Sequence, residues 1–119
     1  MKYVFIIISC LIFSNMVAAR ASSSQDEEQI ALCKKGYDLV ESMVSDPDQK
    51  VSAWMAWAPY CRETGFYHYY LGVYHLEAKN PRQALSAHQM GVRFDDAYQE
   101  KNQAAMERLE IAVDSENSR

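Results

Sequence analysis

Two of the three cysteines and all three histidines are candidates for covalent or metal chemistry: Cys33, Cys61, His68, His75 and His88. Zinc sites draw on closely spaced ligands, but the sequence has no Cys-x-x-Cys, His-x-x-His or Glu-x-x-His. His68 and His75 are seven residues apart, so on one helix they would be roughly 10 Å apart. That is too far to share an ion without a ligand from another helix, such as His88. We therefore predict that the histidines pack among aromatic side chains, with no metal and no cofactor.

Paired carboxylates are the other candidates for chemistry, because general acid–base catalysis requires positioned groups of this kind. Asp95-Asp96 and the pair Glu107 and Glu110 occur where helix caps and solvated helix faces are expected. The sequence also lacks a glycine-rich phosphate loop and a serine nucleophile elbow. We therefore predict that the chain has no catalytic residues and is not an enzyme.

The first 21 residues have the composition of a secretory signal peptide. A basic start, Met1-Lys2, precedes an almost wholly apolar run from Tyr3 to Val17, and small residues follow as far as Ala21. This is the order of regions in a cleavable signal, and the run is shorter than the roughly 20 residues that a retained membrane anchor needs. We predict that 1–21 is removed and that the protein is exported, periplasmic or secreted, with no membrane span left.

The mature chain would have 98 of the 119 residues, enough for one small domain. Loss of Lys2 and Arg20 leaves 10 of the 12 basic residues against 16 acidic ones, a formal net charge of −6. Nucleic acids and anionic lipids favour positively charged partners. The charge therefore argues against both.

The cysteine content fits an oxidising compartment. Cys10 leaves with the signal peptide, so Cys33 and Cys61 remain, and two cysteines allow one intramolecular disulfide. Such a bridge would tie the first predicted helix to the end of the second and add roughly 3–4 kcal/mol of stability. Two buried free thiols and an intermolecular link are the alternatives.

The mature sequence has helical periodicity throughout and no strand alternation. The first helix has apolar residues at three- and four-residue steps, and Asp46-Pro47, Thr64-Gly65, Asn80-Pro81 and Asp95-Asp96 mark where later helices begin. Pro59 falls late in the second helix, where it should kink or loosen the last turn. We predict an all-α domain over 26–113, a disordered leader over 22–25 and a disordered tail over 114–119.

A segment of the chain also repeats after 34 residues, because 46–54 is echoed by 80–88 with identical Pro, Gln, Ser and Ala. This period is typical of stacked helix–turn–helix repeats. Leu71-Gly72, Ala84 and Gly91 resemble the small-residue positions of a tetratricopeptide repeat, and Sel1-like repeats share the leucine–glycine step. The resemblance covers about 27–113. It implies two antiparallel helical hairpins of a tetratricopeptide-like array plus a C-terminal capping helix.

Tetratricopeptide arrays use the first helix of each hairpin to line a groove that holds a peptide or a partner helix. When the groove positions of the family are placed relative to Leu71-Gly72, the resemblance implies five partner-binding residues: Phe66, Tyr69, Val73, Leu76 and Glu77. Aromatic side chains suit such an interface because they offer large, rigid contact area. We therefore expect a non-catalytic scaffold that binds a protein or peptide. The alternatives are a compact disulfide-tied effector or inhibitor-like protein that acts through its outer surface, and a homodimer or larger homo-oligomer that pairs through the aromatic face.

Overall fold

The computed structural model describes residues 27–117, which form six helices and no strand. The helices are α1 (27–43), α2 (Pro47–Met55), α3 (Ala58–Cys61), α4 (Gly65–Glu77), α5 (Pro81–Gly91) and α6 (Gln99–Asn117). The predicted all-α class is confirmed. The predicted signal peptide (1–21) and leader (22–25), together with residues 118–119 of the predicted tail, lie outside the described residues. Helix α6 continues to Asn117, past the predicted domain end at residue 113.

The second predicted helix is divided in two at Pro59. Helix α2 begins as expected, with Pro47 in its first turn and the Asp46 carboxylate accepting a hydrogen bond from the Gln49 N–H at 3.1 Å. It ends at Met55, four residues before Pro59. A proline ring clashes with the carbonyl four residues earlier and has no N–H to offer it. The chain therefore turns and restarts as the short helix α3.

The main core lies between α1, α2 and α4. Its largest members, Trp54, Tyr74 and Phe66, are at most 2% exposed. The Trp54 indole N–H donates to the Tyr67 carbonyl oxygen at 2.9 Å, which satisfies the only polar atom of that side chain. Helix α4 therefore buries aromatic side chains on the side that faces α1 and α2.

Cys33 and Cys61 are fully buried beside this core and lie at disulfide-bonding distance, with their Cα atoms 5.8 Å apart. The predicted pairing is confirmed and links α1 to α3. In the chain-entropy account, closing a loop of this length stabilises the fold by about 3.5 kcal/mol. The short helix α3 is thereby held against α1.

Helix α5 packs closely against both α4 and α6 because small residues lie at the crossing points. A Cβ atom at Gly72 of α4 would overlap the His88 ring of α5, and one at Gly91 would overlap the Asn102 side chain of α6. Ala84 is fully buried in α5. These contacts bring α4 and α6 side by side. Within residues 27–117 no helix is both long and apolar enough to cross a membrane.

Candidate functional site

A groove of about 450 Å³ lies between α4 and α6. Its α4 wall consists of Tyr69, Val73, Leu76 and Glu77, which recur at four-, three- and one-residue steps and therefore share one side of that helix. These are four of the five residues expected to bind a partner. Four of the residues expected from the resemblance thus line one groove, and their use in binding stays a prediction.

The opposite wall and the floor of the groove come from α6 and α5. Ala105, Arg108 and Leu109 line it from α6, and His88 lines it from α5. Ala105 and Leu109 are each 7% exposed, whereas Leu76 on the α4 wall is 50% exposed. The groove therefore has a packed apolar floor and an apolar side chain left open to solvent, an arrangement suited to a partner's side chain.

Phe66, the fifth expected residue, does not line the groove. It lies in the first turn of α4, where it is 2% exposed and packs edge-on against Tyr98 at 5.1 Å and Trp54 at 6.1 Å between ring centroids. Side chains from both flanks of α4 cover this turn before the groove opens at Tyr69. Phe66 is therefore a core residue, and a change there would test packing.

A cluster of half-buried tyrosines continues the inner surface from the groove toward α1. The Tyr70 ring lies 4.2 Å from the Tyr37 ring and 5.0 Å from the Tyr69 ring, and Tyr98 lies 5.9 Å from Tyr69. The Lys101 ammonium sits 5.0 Å from the Tyr98 ring centroid, within cation–π range. One end of the groove therefore meets an aromatic surface that carries a positive charge.

His88 and Asn102 form a buried polar pair beneath the groove. Asn102 is fully buried, and its Nδ2 donates to the Gly65 carbonyl at 3.1 Å and the Tyr98 carbonyl at 3.0 Å. Its Oδ1 lies 2.9 Å from His88 Nδ1, so this imidazole nitrogen carries the proton and donates. Burial lowers the pKa of His88, an effect that its bond to Asn102 partly offsets. The pair ties α4, α5 and α6 together under the floor.

Asp96 binds the start of α4, which differs from its expected role as a cap of the last helix. Its Oδ2 accepts from the Gly65 N–H at 2.7 Å, and its Oδ1 accepts from the Tyr98 N–H at 2.9 Å. The Thr64 hydroxyl accepts from the Tyr67 N–H at 3.2 Å in the same helix turn. A carboxylate and a hydroxyl thus satisfy the free N–H groups at the positive end of the α4 dipole. Asp96 fixes α4 relative to α6.

The other two histidines have separate surroundings. The His68 ring stacks on the Phe94 ring with centroids 5.5 Å apart, and its Nε2 donates to the Arg62 carbonyl at 2.8 Å. His75 Nδ1 is buried with no hydrogen-bond partner among the described residues. Burial lowers the pKa of both side chains. Within residues 27–117 no group of three His, Cys, Asp or Glu side chains is placed to hold a metal ion.

A carboxylate on α1 forms a hydrogen-bonded cluster that sequence patterns did not indicate. Glu41 Oε1 accepts from the Tyr74 hydroxyl at 2.9 Å, and its Oε2 pairs with Lys50 Nζ at 3.1 Å. Burial raises the pKa of Glu41, but the bonds from Lys50 and Tyr74 outweigh it and hold that pKa below its usual value. Burial, together with the Glu41 charge, raises the pKa of Tyr37 to about 12. The cluster joins α1 and α2 to α4.

Comparison of the chain with protein-family models, curated proteins and solved structures gives no match. The functional interpretation of this chain therefore rests on its residues and on the groove.

Proposed function

We propose that this protein is an exported, non-catalytic interaction module of tetratricopeptide-like architecture that binds a protein or peptide in the groove between α4 and α6. In this proposal α1 with α2 and α4 with α5 are the two hairpins, and α6 is the capping helix. The 34-residue period relates the start of α2 to the start of α5, which agrees with that assignment.

One observation carries the proposal: the groove has a packed apolar floor and an open apolar wall. Leu76 leaves half its surface in solvent, and Ala105 and Leu109, which line the same groove, are almost fully buried. A partner that covered Leu76 would remove its apolar surface from water, and full burial of a leucine contributes about 1.5–3 kcal/mol. The disulfide and the absence of a spanning helix in residues 27–117 are compatible with export.

The test compares two leucines of equal exposure on different surfaces. Leu76 in the groove is 50% exposed, and Leu39 on the outer face of α1 is 49% exposed. The wild type, Leu76→Asp and Leu39→Asp proteins, matched for helicity by circular dichroism, are used to capture partners from the exported fraction of the source cells. We expect a partner that Leu39→Asp retains and Leu76→Asp loses. A partner that both variants retain would place binding elsewhere.

Self-association through α1 is a second candidate function, and a separate observation favours it. Leu32, Leu39 and Met43 are 41%, 49% and 78% exposed and recur at seven- and four-residue steps, so they form one apolar stripe on α1. Light scattering of the same three proteins tests this candidate. A dimer that Leu39→Asp dissociates and Leu76→Asp leaves intact would support it, whereas a monomeric wild type would refute it.

A further inference from the structure

Helix α6 carries opposite charges on two different sides. Lys101 and Arg108 are seven residues apart, so they share one side of the helix at a separation of roughly 10 Å. Glu100 and Glu107 share another side, where they line a shallow outer surface with Ala104. The groove edge of α6 is therefore positive, although the whole chain has a formal net charge of −4.

The two cations mark the two ends of the groove. Arg108 lines it opposite Glu77, and Lys101 Nζ lies 5.9 Å from the ring centroid of Tyr69 at the other end. The apolar side chains of the groove lie between these ends. A partner that fills the groove therefore contacts the Arg108 end, and one that also covers the Tyr69 ring comes close to Lys101.

Neither cation is neutralised by another group within residues 27–117. Both side chains are exposed, and within the part of the chain that the structure describes neither Lys101 nor Arg108 has a carboxylate oxygen within ion-pairing distance. Glu77 faces Arg108 across the groove without pairing with it. Both unpaired charges on the α6 edge are positive, whereas Glu77 gives the α4 edge a negative charge, so the α6 edge selects acidic side chains on a partner.

We propose that the occupant of the groove is an amphipathic helix whose apolar edge is flanked by two acidic side chains seven residues apart. This inference rests on the proposed function, because it specifies the partner of the same groove. Two side chains seven residues apart on a partner helix are separated by the same distance as Lys101 and Arg108. They lie beside an apolar edge whose residues recur at steps of three and four. The groove also lies between two helices, and the side-chain ridge of a third helix can pack into it.

Selection from a phage-displayed library of helical peptides tests the proposal. The library fixes apolar residues along one helix edge and randomises both flanking rows, and the baits are the purified wild type, Lys101→Gln/Arg108→Gln and Leu76→Asp proteins. We expect clones selected on the wild type to carry Asp or Glu at two flanking positions seven apart. Because two exposed ion pairs are involved, these clones should bind the double glutamine variant about tenfold more weakly. That difference should vanish at 1 M salt, where charges are screened beyond ~3 Å.

The other outcomes separate the partner's charge from the groove itself. Clones without acidic enrichment that bind the wild type and the double glutamine variant equally would overturn the acidic helix and leave the groove intact. Acidic residues enriched at a spacing other than seven would overturn the placement of the partner helix along Lys101 and Arg108. Clones that bind Leu76→Asp as tightly as the wild type, or no enriched clones, would overturn the groove as the binding site.

Discussion

Replacement of Asn102 by alanine should destabilise the protein far more than the same change at the neighbouring Gln103. Asn102 is fully buried, and its side chain bonds Gly65, Tyr98 and His88. The carbonyls of Gly65 and Tyr98 that accept from the Asn102 side chain lie within helical or turn structure. The Tyr98 carbonyl also accepts from the backbone N–H of residue 102, at 2.9 Å, and the alanine variant keeps this bond. In the alanine variant, the His88 Nδ1–H group loses the Asn102 side-chain oxygen and is left without an acceptor. A buried donor left unpaired costs about 1–3 kcal/mol, and the vacated volume adds about 1 kcal/mol.

The expected loss is therefore about 2–4 kcal/mol, a large share of the 5–15 kcal/mol typical of a whole domain. For a domain of this size it corresponds to a fall in Tm of roughly 10–25 °C. Gln103→Ala is the matched control, because the Gln103 side-chain amide donates to Glu107 in an exposed position, at 2.9 Å. That change should alter stability by less than about 0.5 kcal/mol.

Thermal and urea unfolding followed by circular dichroism measure both variants. Asn102→Asp separates the effect of the lost hydrogen bonds from the effect of the vacated volume. It keeps the size of the side chain but replaces the amide that donates to the Gly65 and Tyr98 carbonyls by an oxygen. It should therefore destabilise the protein about as much as the alanine change. Equal Tm values for Asn102→Ala and Gln103→Ala would refute the account of the buried pair.

Three further predictions concern the disulfide, the histidines and one strained residue. The double change Cys33→Ser/Cys61→Ser should lower the free energy of unfolding by about 3.5 kcal/mol, measured by urea unfolding, and a reductant should then have no further effect. Because burial holds the pKa of His88, and of the other two histidines, below the unfolded value of about 6.5, protonation favours unfolding. The histidine contribution to the free energy of unfolding should therefore be fully present above pH 6.5 and decrease between pH 6.5 and 5. Urea midpoints that stay constant over this range would contradict the lowered histidine pKa values. Lys79 lies two residues after the end of α4 and has a φ of 65°, a left-handed conformation that glycine adopts without strain. Lys79→Gly should therefore raise stability by about 0.5–1 kcal/mol in thermal unfolding.

The parts of the fold that were predictable from the sequence depend on local chemistry. Asp46-Pro47 predicts the start of α2 because a capping carboxylate and a proline act within one helix turn. The pairing of Cys33 with Cys61 followed from their number once export was assumed. Gly72 predicts a close helix crossing because a missing side chain leaves room for a neighbour.

The parts that were not predictable depend on contacts between distant segments. Asp96 looks like a cap for the helix that follows it, but its carboxylate reaches Gly65, 31 residues earlier. Asn102 lies among polar residues of α6 and has no sequence feature that distinguishes it from Gln103. Phe66 shares the helical register of the groove residues, yet the start of α4 is covered on both sides. The roles of Asp96, Asn102 and Phe66 depend on how α1 and α6 pack against α4.

The most direct test of the groove is photo-crosslinking in the source cells. A benzophenone side chain is placed at Val73 in the groove and, as the control, at Met43, which is 78% exposed on α1. The proposed function predicts a covalent adduct with another protein from Val73 and none with that protein from Met43. An adduct from Met43 alone, or no adduct from Val73, would contradict partner binding between α4 and α6.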